Sequence, residues 1–178
     1  MIAYTGFHPG LICRGYQFTM GLNVTDKANC AHNGFHCAED PLDCLSYYPD
    51  MKQSEYYLVD AGGDVDEDAC DSKISCTRLT VLKRLDLSEF CLHALAYMAD
   101  HPHRKCNDRV IWEFGTAWDG FVVVRGVSPK AKGPTDSILA MAKEDPETGE
   151  IVQIAMAKVD GITVLPHIWY DINFHAKE

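Results

Sequence analysis

The sequence predicts an α+β protein: a strand-dominated N-terminal part with two short helices over residues 1–105, followed by a C-terminal antiparallel β-meander over 106–178 packed on it. Three observations predict this class. Several short runs alternate apolar with polar residues or are continuously β-branched, as half-buried and buried strands do. One longer stretch, 88–100, has a helical period, with Phe90, Leu92, Leu95 and Met98 as candidates for its apolar side. The last third carries two hairpin signatures, Asp145-Pro146-Glu147-Thr148-Gly149 and Asp160-Gly161.

Ile2-Ala3-Tyr4-Thr5-Gly6-Phe7 reads as a strand ended by His8-Pro9-Gly10, and Cys13-Arg14-Gly15-Tyr16-Gln17-Phe18 as a second. Residues 23–34 are small and polar, a loop. Asp40 suits a helix N-cap, Pro41 the first helical position, and Asp43 complements the dipole. Leu42, Leu45 and Tyr48 share a face, so about two helical turns run to Tyr48 before Pro49 stops them. Residues 56–59 form the next strand. The segment 60–71, with six carboxylates and no basic residue, reads as a solvated acidic loop. Residues 73–82 alternate as a half-buried strand. Ser88 caps the second helix, which ends near Asp100 because Pro102 disfavours a helical His101. The polar stretch 101–109 marks the interdomain boundary. Beyond it 121–124 is a buried strand, 138–143 and 150–159 flank the first turn signature, and Asp160-Gly161 leads into a last strand at 162–164.

The 178 residues carry 26 acidic against 16 basic side chains, a formal charge of −10 with 47% hydrophobic residues. That balance excludes a disordered or fibrous class. No apolar run approaches the roughly 18 residues of a membrane helix. With no secretion signal at the start of the sequence, the eight cysteines are expected reduced and the protein cytoplasmic. The net charge argues against unaided binding to nucleic-acid phosphates.

Among chemistry-bearing clusters, Cys30, His32, His36, Cys37 and Cys44 offer the ligand types zinc takes, but without the paired knuckles of a structural site. Cys37 and Cys44 read equally as small core residues, and no metal or cofactor is expected. A nucleophilic Cys37, just ahead of a helix, with His32, His36 or His93 as base, is a further option. Asp64, Asp66, Glu67 and Asp68 imitate a calcium loop, but Ala69 stands where glycine belongs and Ser75 where a bidentate glutamate belongs. They read instead as an acidic surface suited to a basic protein partner. Arg14, between an apolar strand and Gly15, can meet a phosphate or carboxylate bidentately, or pair with one of the many carboxylates of the chain. There is no phosphate-binding glycine loop, nucleophile elbow or HExxH helix.

Three segments together resemble a family of small bacteriophage and prophage proteins to which no reaction is attached. They are Tyr4-x-Gly6-Phe7 with Cys13-Arg14-Gly15-Tyr16-Gln17-Phe18; Gly34-Phe35-His36-Cys37-Ala38-Glu39-x-Pro41-Leu42-Asp43 closed by Tyr47-Tyr48-Pro49; and Ala157-Lys158-Val159-Asp160-Gly161 with Trp169-Tyr170. The similarity covers 1–85 and 126–178; the Ser/Ala/Gly-rich repeat of many relatives is missing from the middle. It implies an accessory protein that binds a host protein, such as a component of a CRISPR defence, through the acidic surface. The chain is more faintly similar to ADP-ribosyltransferases. That similarity implies a candidate pocket in which Arg14 holds the NAD phosphates and Phe35, His36, Tyr47 and Tyr48 wall the nicotinamide site. The strand 73–82 holds no glutamate where that family keeps its catalytic one. A small structural zinc protein is the third reading.

Overall fold

The computed structural model describes residues 1–29, 32–67 and 72–177. By its internal contacts the chain divides into Met1–Asp86 and Leu87–Glu178. The expected boundary stood at 105/106; the long helix and residues 101–109 instead go with the second unit.

The first unit runs β1 (Ile2–Phe7), β2 (Ile12–Cys13), β3 (Tyr16–Gln17), β4 (Gly21–Val24), β5 (Phe35–Ala38), a 3₁₀ helix (Pro41–Ser46), β6 (Glu55–Glu67) and β7 (Lys73–Leu85). The second expected strand is a hairpin, because Arg14 (φ 47°) and Gly15 (φ 79°) take the two positive-φ positions of a tight turn. The first helix starts as its caps dictate, with Asp40 accepting the Leu42 N–H at 2.9 Å, but winds as the tighter 3₁₀ form. The acidic segment corrects the loop expectation: β6 continues through Asp60, Asp64, Asp66 and Glu67, paired to β7 as far as Glu67 opposite Ile74. Polarity suggests a loop, yet backbone pairing needs only an exposed surface for the carboxylates, and residues 63–67 are exposed. Asp68 lies outside the described residues.

In this unit β7 pairs with β4 and β5 on one side and β6 on the other, β6 pairs with β1, and β1 pairs with β5. Strands β7, β5, β1 and β6 thus close a ring. Its core gathers Phe7, Phe18, Phe35, Tyr57, Val59, Ile74, Leu79 and Val81. The weak point of the ring is the β1–β5 seam, where Tyr4 and Ala38 are the register pair. Beyond it the Thr5 hydroxyl donates to the His36 carbonyl at 3.1 Å, in place of a backbone ladder.

The second unit runs α1 (Leu87–Asp100), β8 (Val110–Thr116), β9 (Phe121–Lys132), β10 (Ile138–Glu144), β11 (Ile151–Lys158), β12 (Trp169–Asp171) and β13 (Ala176–Lys177). Helix α1 packs on β10 and β11 through Phe90, Cys91, Ala94, Leu95 and Met98. Leu92 is exposed, and Ser88 lies inside the first turn rather than at the cap. The expected antiparallel meander is corrected: β9 pairs in parallel with both β8 and β10. Only the β10–β11 hairpin over 145–149 follows its turn signature. The expected strand at 162–164 is a loop, because the Asp160 carboxylate accepts the N–H groups of Ile162, Thr163 and Val164 at 2.7–3.0 Å. Arg125 is buried against Glu144 at 2.8 Å and donates to the carbonyls of Pro102 and Gly149, tying residues 101–109 to this sheet.

Candidate functional site

A cavity of about 540 Å³ opens in the first unit beside the β1–β5 seam. Where two strands part, each turns unpaired backbone edge and alternate side chains toward the gap. Strand β1 contributes Tyr4, Thr5 and Gly6; β5 contributes Phe35, His36 and Cys37; the β2–β3 hairpin contributes Cys13, Arg14 and Tyr16; the 3₁₀ segment contributes Cys44, Tyr47 and Tyr48. Lys73 reaches the site because β7 pairs it with Ala38, itself the partner of Tyr4.

The walls are mostly aromatic. The Phe18 ring lies tilted at 4.8 Å from Phe35 and 4.9 Å from Phe7, with Tyr16 edge-on at 4.7 Å. Tyr48 lies against β1 at Gly6, where an added Cβ would come within 2.5 Å of its ring; this close approach explains a glycine inside a strand. The Tyr48 hydroxyl donates to Cys13 Sγ at 2.8 Å, and the Tyr56 hydroxyl donates to the Tyr48 carbonyl. Lys73 donates to the Tyr47 hydroxyl at 2.9 Å.

The polar side of the cavity is positive. Burial lowers the His36 pKa, and the Arg14 guanidinium and then the Lys73 ammonium lower it further. Its Nε2 is buried with no hydrogen-bond partner among the described residues. The expected titration of His36, read by NMR, is therefore below the usual value of about 6.5. Lys73→Met should raise it, and so should a bound anion. Between the lowered folded value and 6.5 the unfolded chain binds the proton more readily, so stability falls as pH drops through that window. A His36 midpoint at or above 6.5 in the free protein would refute this electrostatic picture.

The five pocket residues read from the sequence, Arg14, Phe35, His36, Tyr47 and Tyr48, all line this cavity. Thr5, Gly6, Cys13 and Lys73 line it too; of these, Gly6 and Cys13 stand in the motifs of the resemblance, while nothing local in the sequence marks Thr5 or Lys73 as site residues. The zinc candidates do not assemble: His32, Cys37 and Cys44 also line the cavity, but among the described residues no three such groups gather to hold a metal. Cys30 lies outside the described residues. The Cys37 thiol is pushed up by its hydrogen bond with Cys76 and by burial, and the Cys44 thiol by burial beside Asp40 and Asp43. Protonated thiols are poor nucleophiles, which corrects the catalytic Cys37 option. Cys37 also lies within β5 rather than at a helix N-terminus. His93 belongs to α1 of the second unit.

The family model described as "Domain of unknown function (DUF7666)" matches residues 1–93, just over half of the chain. The chain belongs to the DUF7666 family. The match takes in the whole first unit and with it every residue of the cavity, so the DUF7666 region is the part that carries the cleft. Searches of curated proteins and of solved structures found no match. No helix among the described residues is long and apolar enough to cross a membrane.

Proposed function

We propose that the DUF7666 unit binds a small anionic ligand bearing a flat ring in the cleft beside β1 and β5. The observation that carries this reading is the cavity itself, which Arg14, Lys73 and His36 line together with Phe35, Tyr47 and Tyr48. Rings bind the flat part and a guanidinium grips phosphate or carboxylate. The ADP-ribosyltransferase resemblance nominates NAD as the first ligand to try.

Arg14 separates function from structure. A non-glycine residue at φ 47° is strained, and such strain collects where function requires a side chain. Arg14→Asn places the residue preferred at that turn position and should raise stability by about 1 kcal/mol. The same change should weaken ligand binding about tenfold or more, the worth of a charge-assisted hydrogen bond. Calorimetric titration with NAD, AMP and inorganic phosphate tests both halves. Absence of heat with all three ligands at millimolar concentration, or wild-type affinity in Arg14→Asn, would end the reading.

One observation favours a second reading. Asp64, Asp66 and Glu67 are exposed on the outer end of β6, where they can meet a basic host protein, as the phage-family resemblance implies for an accessory protein. Replacing the three by Asn, Asn and Gln should then slow association with the captured partner and flatten its dependence on salt. Unchanged association kinetics would remove this reading.

A further inference from the structure

The second unit carries a surface that the cleft does not use. Ala131 and Tyr170 pair in register and point into the core. Strand alternation puts their neighbours on the opposite face. There Phe114 stands opposite Lys130 and Thr116 opposite Lys132 in the β8–β9 register, and Trp169 precedes the core residue Tyr170. The Phe114 and Trp169 rings meet edge to face at 5.9 Å, and Phe114 is 56% exposed. Lys130 Nζ lies 5.2 Å from the Phe114 centroid, and Lys132 Nζ lies 4.5 Å from that of Trp169. Asp171, the register partner of Lys130, is held by Lys177 at 2.9 Å. Glu113 turns away, accepting the amides of Val127 and Ser128.

The geometry points to a platform for single-stranded nucleic acid on this face. A nucleotide strand needs a π-surface for each base and a cation for the neighbouring phosphate, and this face supplies both within one patch. An acidic peptide would use the lysines and leave an exposed phenylalanine without a role. The whole-chain charge of −10, which speaks against nucleic acid, acts on this patch only through screening of about 8 Å at physiological salt. Locally, among the described residues, Lys130, Lys132 and Lys177 gather around Asp171. Binding through so few cations is weak and salt-sensitive.

The test is the anisotropy of a labelled short oligothymidylate titrated with the full chain at several salt concentrations. Binding is expected, with a log–log salt slope of about −0.7 for each phosphate contacted. Phe114→Ala and Trp169→Ala should each weaken it at least about fivefold, whereas Phe114→Tyr should retain it. Lys132→Gln should make the slope shallower by about 0.7. Polyglutamate, a polyanion without bases, should compete poorly. Absence of binding, equal competition by polyglutamate, or wild-type affinity in both alanine variants would overturn the proposal.

Discussion

Phe7→Ala is expected to destabilise the N-terminal unit by about 3–5 kcal/mol, the usual cost of emptying a buried phenylalanine site. Phe7 is 1% exposed, and its ring meets Phe18 at 4.9 Å and Tyr57 at 5.4 Å. It sits at the end of β1, with one side in the core and one edge on the cavity. Neighbours have little room to collapse into the space, because β6 pairs with β1 along its whole length, Phe7 included. Most of the lost transfer and dispersion energy therefore stays lost. Phe7→Leu, which keeps most of the volume, should cost only about 1 kcal/mol. The measurement is thermal unfolding with two reporters. Six of the eight tyrosines lie in the first unit, so tyrosine reports mainly on it, while Tyr97, Tyr170 and all three tryptophans, Trp112, Trp118 and Trp169, lie in the second. The tyrosine transition of Phe7→Ala should move down by at least about 12 °C, given roughly 4–8 °C per kcal/mol in a unit of this size. A shift below about 3 °C would mean that the site relaxes and that pairing with β6 does not hold β1 in place.

What the sequence made legible is what local rules control. The Asp40-Pro41 helix start needs only a capping carboxylate and a residue with fixed φ, and both act within one turn. The hairpin over 145–149 is likewise local, with the Asp145 carboxylate accepting the amides of Glu147 and Thr148. The misses come from non-local terms or from one residue with two uses. Asp160-Gly161 has hairpin chemistry, but Asp160 spends its carboxylate on three successive amides and holds a loop. The parallel pairing of β9 with β8 and β10 joins consecutive strands across only residues 117–120 and 133–137, where so short a connection ordinarily announces an antiparallel pair. The acidic half of β6 is a strand because β7 supplies its ladder, a fact absent from its own residues. In the candidate site, the motif residues Arg14, Phe35, His36, Tyr47 and Tyr48 could be named one by one. The parting of β1 from β5 and the delivery of Lys73 follow from register alone, and register over so few residues leaves little trace in composition.

Gly34→Ala is expected to cost about 2–5 kcal/mol and to disturb the cleft as it does so. Gly34 precedes β5 with φ +87°, where a side chain costs about 1–2 kcal/mol. Its Cβ would also come within 2.3 Å of Ser75 Oγ, 3.0 Å of Ala28 Cα and 3.1 Å of the Lys27 carbonyl oxygen. Overpacking of this kind costs about 1–3 kcal/mol more. The Ser75 hydroxyl cannot simply swing aside, because it donates to the Asn33 carbonyl at 2.6 Å from a buried position. Ser75 is in turn the register partner of His36. Relief of the clash must therefore move either the segment before β5 or the β5–β7 pair, and either movement shifts Phe35 and His36 in the cavity wall. Ser75→Ala removes the nearest contact and leaves the backbone ones. The double variant should thus be more stable than the sum of the single effects predicts, by at least about 0.5 kcal/mol. Urea denaturation of the four proteins measures this coupling. Strict additivity would show that Gly34 is required for its backbone angle alone, and the cleft should then keep its affinity in any Gly34→Ala protein that still folds.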